Sequence, residues 1–312
     1  MDWFHAAVLG LIQGLTEFLP VSSSAHLRVF SALLGWDDPG AAFTAVTQLG
    51  TESAVLIYFR RDIAAIVSTW IRSLWTPALR RDRNARMGWF VIVGTLPIAI
   101  LGKLFQTTIE TQLRDLRIIG TTLILFGVIL AVADRTRAIR GARGIDSLTF
   151  PHALVYGAAQ SLALIPGVSR SGGTISAGLF LGYSREAAAR YSFLLAVPAV
   201  LASGILELFK IGEGPAPAWG PTILATLIAF AVGYAAIAWF LKYISHHSFL
   251  PFVIYRILLG VLIIGLVTAG VLAPNAGAVH QPPHPGQGRR EWFLKTPSGL
   301  QEPFSAARPC WT

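Results

Sequence analysis

The chain has 312 residues, a single cysteine and few charged side chains. One cysteine, Cys310, excludes an internal disulfide and a metal cluster held by thiolates. Charged residues make up 13% and hydrophobic residues 54% of the sequence, whereas soluble proteins average about 25% and about 45–50%. The shortage of charge and the excess of apolar residues indicate an integral membrane protein.

Six apolar runs approach the length of about 20 residues that a helix needs to cross a bilayer. They cover residues 41–59, 87–105, 117–133, 186–209, 221–241 and 250–273. Continuous runs favour helices, because strands of a membrane barrel would alternate apolar and polar residues. The sequence predicts an all-α polytopic membrane protein with six transmembrane helices.

The net charge of +9 is concentrated in two segments that flank these runs. Residues 60–86 contain seven arginines against two aspartates, and residues 135–146 contain four more arginines. Arginines beside spans are typical of cytoplasmic loops, so both segments are predicted on the inner side and nucleic-acid binding is not expected. The segments 106–116 and 211–220 have little excess positive charge and are predicted on the outer side.

Residues 5–35 resemble residues 152–182 at a constant offset of 147, with 11 identities in 31 ungapped positions. Such self-similarity indicates a duplicated unit. Each unit is too short to cross the bilayer twice and is interrupted by proline, glycine and serine, which predicts a re-entrant helix–loop–helix pair. Three spans, an odd number, follow each unit. An internal repeat of inverted topology is therefore predicted, with halves at about 1–135 and 148–273 and both loops near the midplane.

Residues 1–273 are predicted to form a single membrane domain. The remaining segment, 274–312, contains seven prolines in 39 residues, scattered charges and no periodicity. This composition predicts a disordered tail.

The first loop, "TEFLPVSSSAH", places polar groups where lipid would be expected. Gln13 and Glu17 are four residues apart and share one helix face. Serines and free backbone N–H groups at the start of the following helix form an anion site, with a histidine within reach. The candidate side chains of this loop are Gln13, Glu17, Ser22, Ser23, Ser24 and His26.

The second loop, "PGVSRSGGTIS", repeats this arrangement and adds an arginine. Its candidate side chains are Ser169, Arg170, Ser171 and Thr174. An arginine near the midplane costs about 2.5–3.5 kcal/mol, which an acidic ligand would compensate. The planar guanidinium suits phosphate oxygens. Hydroxyls, a histidine and a Gln/Glu pair together suit phosphoryl transfer from a diphosphate, with Mg²⁺ or Ca²⁺ shared between protein and substrate oxygens.

The two loops resemble motifs of the bacterial undecaprenyl-diphosphate phosphatase family, of the bacitracin-resistance type. The first motif has Glu or Gln, then Glu, a Pro-Val-Ser-Ser run and a His, and it matches Gln13, Glu17, residues 20–24 and His26. The second motif, PGxSRSxxT, matches residues 166–174. Gln13 stands where many members carry Glu. The resemblance covers the chain up to the predicted tail.

The resemblance implies metal-dependent removal of the terminal phosphate of undecaprenyl diphosphate, which recycles the carrier lipid for cell-wall synthesis. It places the protein in the bacterial plasma membrane with its site toward the outer face. By carry-over, Glu17 and His26 are acid/base and metal-side residues. Arg170 clamps the diphosphate, and either Ser23 or water is the nucleophile. The implied diphosphate-binding residues are Ser22, Ser24, Ser169, Arg170, Ser171 and Thr174, and the implied metal-side residues are Glu17 and Gln13.

Structural roles are open for several of these residues. Serines at helix starts can act only as caps, Arg170 and Glu17 can form a structural ion pair, and His26 can be a core histidine. Glu52 and Arg256 lie within apolar runs. Glu52 can be a functional residue or part of a structural pair, and Arg256 can snorkel to the membrane surface or face the cavity. Neither is assigned a catalytic role.

The alternative function is an inverted-repeat transporter or flippase for a lipid phosphate or a small anion. A carrier needs a binding site but no attacking group. The combination of nucleophile, base and arginine candidates in one cluster therefore favours the enzyme. A polyprenyl diphosphate lipid and the bilayer are the expected partners, and formation of a homodimer is left open.

Overall fold

The computed structural model describes residues 1–36, 40–105, 115–140, 142–210 and 218–275. This part of the chain contains eleven α-helices and no β-strand, which confirms the predicted all-α class. The helices are α1 (Trp3–Thr16), α2 (Ser23–Leu34), α3 (Gly40–Tyr58), α4 (Arg60–Trp75), α5 (Arg83–Leu104), α6 (Leu116–Arg140), α7 (Phe150–Ser161), α8 (Arg170–Phe180), α9 (Arg185–Lys210), α10 (Trp219–His246) and α11 (Leu250–Thr268).

Five helices in the described ranges, α5, α6, α9, α10 and α11, are long and apolar enough to cross a membrane. They correspond to five of the six predicted spans and confirm a polytopic membrane protein. The sixth predicted span, 41–59, forms α3, which has 19 residues but is not among these five helices. Polar residues such as Thr47, Gln48, Thr51 and Glu52 interrupt its apolar character. Its crossing of the membrane remains a prediction.

The two arginine-rich segments are more helical than their charge alone predicts. Residues 60–75 form α4, and a short 3₁₀ turn follows at Pro77–Arg81. In the second segment α6 continues to Arg140, so that Arg135 and Arg137 lie in its last turns. Cations are favourable at a helix C-terminus because they complement the helix dipole.

The duplicated units fold as the predicted helix–loop–helix pairs, α1–α2 and α7–α8. Their helices have 14, 12, 12 and 11 residues, too few for a span of about 20. The chain between the two helices of each pair is irregular or forms a short 3₁₀ turn. Which side of the membrane each pair enters from stays a prediction.

The helices of the two halves pack against each other in matching pairs. Helix α1 packs along α10 and α7 packs along α5, while α3 packs along α9 and α6 along α11. Gly10 on α1 and Gly157 on α7 are 147 residues apart, and each lies against a backbone carbonyl, that of Ala225 or of Gly94. A Cβ at either position would collide with that carbonyl. The duplication therefore extends from the sequence to the packing of the helices that hold the loops.

Residues 276–312 lie outside the described residues, so the prediction of a disordered tail is not addressed by the structure. Most of the predicted outer loops, 106–116 and 211–220, also lie outside them.

Candidate active site

Glu17 joins the two loops. It ends α1, where the Gln13 amide donates a hydrogen bond of 2.9 Å to its Oε2. The Ser23 hydroxyl, at the start of α2, donates to the same oxygen at 2.7 Å. Arg170, the first residue of α8, donates from Nη2 to Oε1 at 2.7 Å. The predicted meeting of an arginine on one loop with a carboxylate and a hydroxyl on the other is confirmed.

The backbone of both loops adopts the same unusual conformation. Ser22 and Ser169, which are 147 residues apart, have φ of 74° and 70°, and no other described non-glycine residue has a positive φ. This region is unfavourable for a residue with a Cβ, and such strain is concentrated at functional sites. In each loop the strained serine lies 3.2 Å, between hydroxyl oxygens, from the serine two residues later, Ser24 or Ser171.

Only one of the two serines with positive φ caps the helix that follows it. The Ser169 hydroxyl accepts a hydrogen bond of 3.1 Å from the N–H of Gly172, as an N-cap does. Ser22 makes no such side-chain bond. The N-cap role is therefore confirmed for Ser169 but not for Ser22. Within the described residues the Ser22 hydroxyl bonds only to that of Ser24.

Arg256 on α11 holds both loops in place. Its guanidinium donates to the carbonyl of Pro20 at 2.9 Å and to that of Gly167 at 2.9 Å, two residues at equivalent positions of the repeat. It also donates to the carbonyls of Val168 at 3.0 Å and Leu123 at 3.3 Å. The side chain is fully buried. Arg256 therefore does not snorkel to the membrane surface. It donates hydrogen bonds to loop carbonyls that have no partner within a regular helix.

Two hydroxyls of the second loop are engaged within the protein. The Ser171 hydroxyl donates to the carbonyl of Leu19 at 3.0 Å and so connects the second loop to the first. The Thr174 hydroxyl donates to the carbonyl of Arg170 at 2.7 Å and lies 2.5 Å from the Ser192 hydroxyl. These bonds fix the positions of both side chains. Their contact with a diphosphate remains a prediction.

His26 lies beside the Glu17 cluster rather than within it. Its Nδ1 is 2.7 Å from the carbonyl oxygen of Ser22, and its Nε2 is 2.6 Å from the hydroxyl of Tyr255. A carbonyl only accepts, so Nδ1 carries a proton, and in the neutral ring Nε2 accepts from Tyr255. The imidazole also stacks on the Tyr255 ring, with centroids 5.5 Å apart. The acid/base role of His26 stays a prediction.

Three buried polar atoms at the site have no hydrogen-bond partner among the described residues. They are Gln13 Oε1, Glu52 Oε1 and Arg170 Nη1. Buried polar groups in native proteins are nearly always bonded to protein, water or a ligand. Two acceptor oxygens and one guanidinium N–H can accommodate a cation and an anion together.

The donor set fits a divalent cation only when the substrate contributes. No group of three or more His, Cys, Asp or Glu side chains with metal-binding geometry occurs in the described part of the chain. Mg²⁺ is commonly bound by one or two carboxylates together with phosphate oxygens. Glu17 and the free Gln13 Oε1 can contribute such oxygens.

Residue patterns did not reveal Tyr255, Ser192 or the function of Arg256. A lone arginine within an apolar run is a signal that could have identified Arg256 as a buried polar centre. Tyr255 and Ser192 are an ordinary aromatic and an ordinary hydroxyl within apolar helices. No local spacing links them to the loops.

The chain resembles known proteins over nearly all of its described length. The family profile described as bacitracin resistance protein BacA matches residues 6–262. Undecaprenyl-diphosphatase 2 of Frankia casuarinae is 62% identical, over 89% of this chain and 99% of that protein. Undecaprenyl-diphosphatase 2 of Streptomyces avermitilis is 59% identical, over 88% and 98%, and the undecaprenyl-diphosphatase of Streptomyces griseus is 60% identical, over 89% and 99%. The chain belongs to the bacitracin resistance protein BacA family.

Proposed function

We propose that the protein hydrolyses undecaprenyl diphosphate to undecaprenyl phosphate and inorganic phosphate, which returns the carrier lipid to cell-wall synthesis. Relatives at about 60% identity over most of the chain carry the name undecaprenyl-diphosphatase. The single structural observation behind the proposal is the Glu17 carboxylate that bonds to Ser23 of one loop and Arg170 of the other. Hydroxyl, base and guanidinium thus lie within one hydrogen-bonded group.

Arg170 is suited to bind the diphosphate. One of its terminal nitrogens is held by Glu17, and the other, Nη1, has no partner in the described residues. A guanidinium binds phosphate oxygens through parallel N–H groups and stabilises the charge that accumulates on them during transfer. We infer that Nη1 binds an oxygen of the terminal phosphate while the Glu17 contact fixes the plane of the guanidinium.

Ser23 and Glu17 form a nucleophile–base pair. The Ser23 hydroxyl donates to Glu17 Oε2 at 2.7 Å, within the distance for proton transfer. In the proposed first step Glu17 accepts that proton, Ser23 Oγ bonds to the terminal phosphorus, and the bond from this phosphorus to the bridging oxygen breaks. The proton passes from Glu17 to the leaving oxygen, and undecaprenyl phosphate departs. Water then gives a proton to Glu17 and attacks the phosphoserine. The bond from phosphorus to Ser23 Oγ breaks, Oγ takes the proton back from Glu17, and inorganic phosphate is released. Direct attack by water is the competing route.

A divalent cation, Mg²⁺ or Ca²⁺, is proposed at the Gln13 and Glu17 side of the site. When bound it neutralises charge on the diphosphate oxygens. Gln13 is suited to this position because its amide nitrogen donates to Glu17 while its Oε1 remains free. His26 is proposed to position the Ser22 backbone and to exchange a proton through Nε2, next to Tyr255.

The proposed location is the bacterial plasma membrane with the site toward its outer face. The arginine-rich segments 60–86 and 135–146 support this orientation through the positive-inside rule. Ser23 is half-buried and Ser24 is exposed, so the first loop is accessible to a ligand. The long prenyl chain of the substrate would remain in the bilayer, beside the apolar outer surfaces of the helices.

Phosphate release by the purified full-length protein tests the function. Undecaprenyl diphosphate and a short-chain prenyl diphosphate are compared, each with and without a chelator. We expect Arg170→Ala to lower phosphate release from undecaprenyl diphosphate by about 10²–10³-fold, the cost of one electrostatic donor to a transition state. Arg72→Ala, on the remote helix α4, is the matched control and should be normal. Near-normal turnover by Arg170→Ala would contradict the diphosphate-binding role.

A further inference from the structure

Glu52 is a buried carboxylate outside the two loops. It lies on α3 and is 1% exposed, and its Oε1 has no hydrogen-bond partner among the described residues. No ion pair to Glu52 occurs in the structure described for this chain. A buried carboxylate without a partner is costly, and at membrane depth such a group is a candidate functional residue.

The position of Glu52 is next to the Glu17 cluster. Its neighbours Thr51 and Ala54 and the Phe18 ring all converge on Gly233 of α10, where a Cβ would lie 3.4, 3.7 and 3.1 Å from them. The turn of α3 that carries Glu52 thus packs beside the residue that follows Glu17. Among the described residues, the Arg170 guanidinium and the Glu17 carboxylate interact electrostatically with the Glu52 carboxylate. Glu52 therefore belongs to the same polar centre, although it contacts neither loop through a hydrogen bond.

Without substrate the charges of this centre balance. Arg170 is paired with Glu17 at 2.7 Å, and the buried Arg256, which is bonded to carbonyls of both loops, matches the charge of Glu52, the second carboxylate. A bound diphosphate would add negative charge beside it, and like charges in a low-dielectric site repel strongly. Gln13 contributes a second oxygen without a partner, and it is 1% exposed. Two free, buried oxygens beside an anion site have the donor chemistry of a hard divalent cation.

We propose that Glu52 is a carboxylate ligand of the divalent cation that the site shares with the diphosphate. This inference rests on the proposed function for its substrate and extends the metal side from Gln13 and Glu17 to α3. In this arrangement Glu17 remains free to exchange its proton with Ser23, because Glu52 contributes a negative charge to the cation. The sequence alone left Glu52 between a structural pair and a functional residue, and no structural pair is found in the described residues.

Direct binding of Mn²⁺ to the purified full-length protein, with and without methylenediphosphonate, tests the proposal. Electron paramagnetic resonance measures the free ion. We expect Glu52→Gln, which keeps the shape but removes the charge, to weaken Mn²⁺ binding at least about 10-fold, since loss of even an indirect partner costs about 10–100-fold. The matched control is Glu186→Gln on α9, where the side chain is 54% exposed; it should bind Mn²⁺ as the wild type does.

Two results would overturn the proposal: equal Mn²⁺ affinity of Glu52→Gln and wild type, or no Mn²⁺ binding by the wild type. If Glu52→Gln does not yield folded protein, Glu52→Ala, which also removes the carboxylate, replaces it, and unchanged affinity of that variant overturns the proposal. Phosphate release is measured on the same samples. Mn²⁺ binding that depends on Glu52, without hydrolysis by the wild type, would refute the proposed function and leave the cation site intact. Hydrolysis by the wild type without Mn²⁺ binding would refute the cation site and leave the proposed hydrolysis intact.

Discussion

At the scale of single residues, the two oxygens of Glu17 have different partners. Oε2 faces the hydroxyl of Ser23 and the amide of Gln13, while Oε1 faces Arg170. One oxygen is therefore placed to accept a proton and the other to hold the guanidinium. The structural ion pair and the acid/base role, both open from the sequence, are compatible in this geometry. Glu17 can orient Arg170 and still act on Ser23.

Ser23→Ala tests which group attacks phosphorus. The variant removes the hydroxyl that donates to Glu17 at 2.7 Å. If Ser23 is the nucleophile, phosphate release should fall by about 10²–10⁴-fold or more, the range of a lost proton-transfer pair. Ser68→Ala, on the exposed face of α4, is the control and should be normal. Mass spectrometry of acid-quenched wild type should detect phosphate on Ser23.

Activity of Ser23→Ala within a few-fold of wild type, together with the absence of a phosphoserine, would identify water as the nucleophile. The Glu17 and Arg170 roles would survive that outcome. Water would then occupy the place of the Ser23 hydroxyl, with the same carboxylate as its base.

Sequence spacing predicted the members of this cluster but not all of their partners. Gln13 and Glu17 are four residues apart on one helix, so their contact follows from helical geometry. Arg170 could be placed opposite them because the repeat equates the two loops. Tyr255, by contrast, is 229 residues from His26. A contact of that kind depends on how α11 packs against the loops, which no local pattern encodes.

At the scale of elements, the two broken helix pairs depend on a buried side chain from elsewhere. Irregular backbone within a membrane is tolerated only where its polar groups are bonded. Arg256 provides this for Pro20 and Gly167, one carbonyl from each loop, and binds two further carbonyls. The relative position of the loops, and hence the distance from Arg170 to Glu17, therefore depends on α11.

Arg256→Met should destabilise the protein and disconnect the loops. Each buried carbonyl left without a donor costs about 1–3 kcal/mol, so the melting temperature in detergent should fall by several degrees. Phosphate release should fall below what the loss of folded protein explains. Arg256→Lys should be intermediate, because an ammonium lacks the forked geometry. Lys242→Met, at the exposed end of α10, is the control. A normal melting temperature and normal activity of Arg256→Met would refute this positioning role.

Helix α4 lies in a segment whose arginines predict its side of the membrane but not its helical structure. Residues 60–86 were interpreted from their arginines, which indicate the cytoplasmic side. The same segment also has apolar residues at helical spacing, namely Ile63, Ile66, Val67, Trp70, Ile71 and Leu74. That period of about 3.6 is the pattern of an amphipathic helix. Topology signals and helix periodicity are separate properties of one segment, and the arginine count predicts only the first.

At the scale of the whole molecule, the duplication predicted more than composition did. Apolar runs gave the spans, with α3 weakened by its polar residues. The offset of 147 predicted two equivalent loops, and the structure extends that equivalence to the strained serines Ser22 and Ser169 and to the close approaches at Gly10 and Gly157. A duplicated unit preserves local geometry. It does not preserve chemistry, because the position equivalent to Glu17 is Leu164.

The inverted orientation of the halves is the remaining prediction at this scale. Three spans after each re-entrant pair place both ends of the membrane domain outside and the arginine-rich segments inside. Single cysteines test this, in a chain whose native Cys310 is replaced by serine. In spheroplasts a membrane-impermeant maleimide should label Asp2→Cys and Ala218→Cys but should label Arg81→Cys only after permeabilisation. Phosphate release by each variant confirms that the fold is retained. Labelling of Arg81→Cys in intact spheroplasts would reverse the predicted orientation and contradict the proposed outward-facing site.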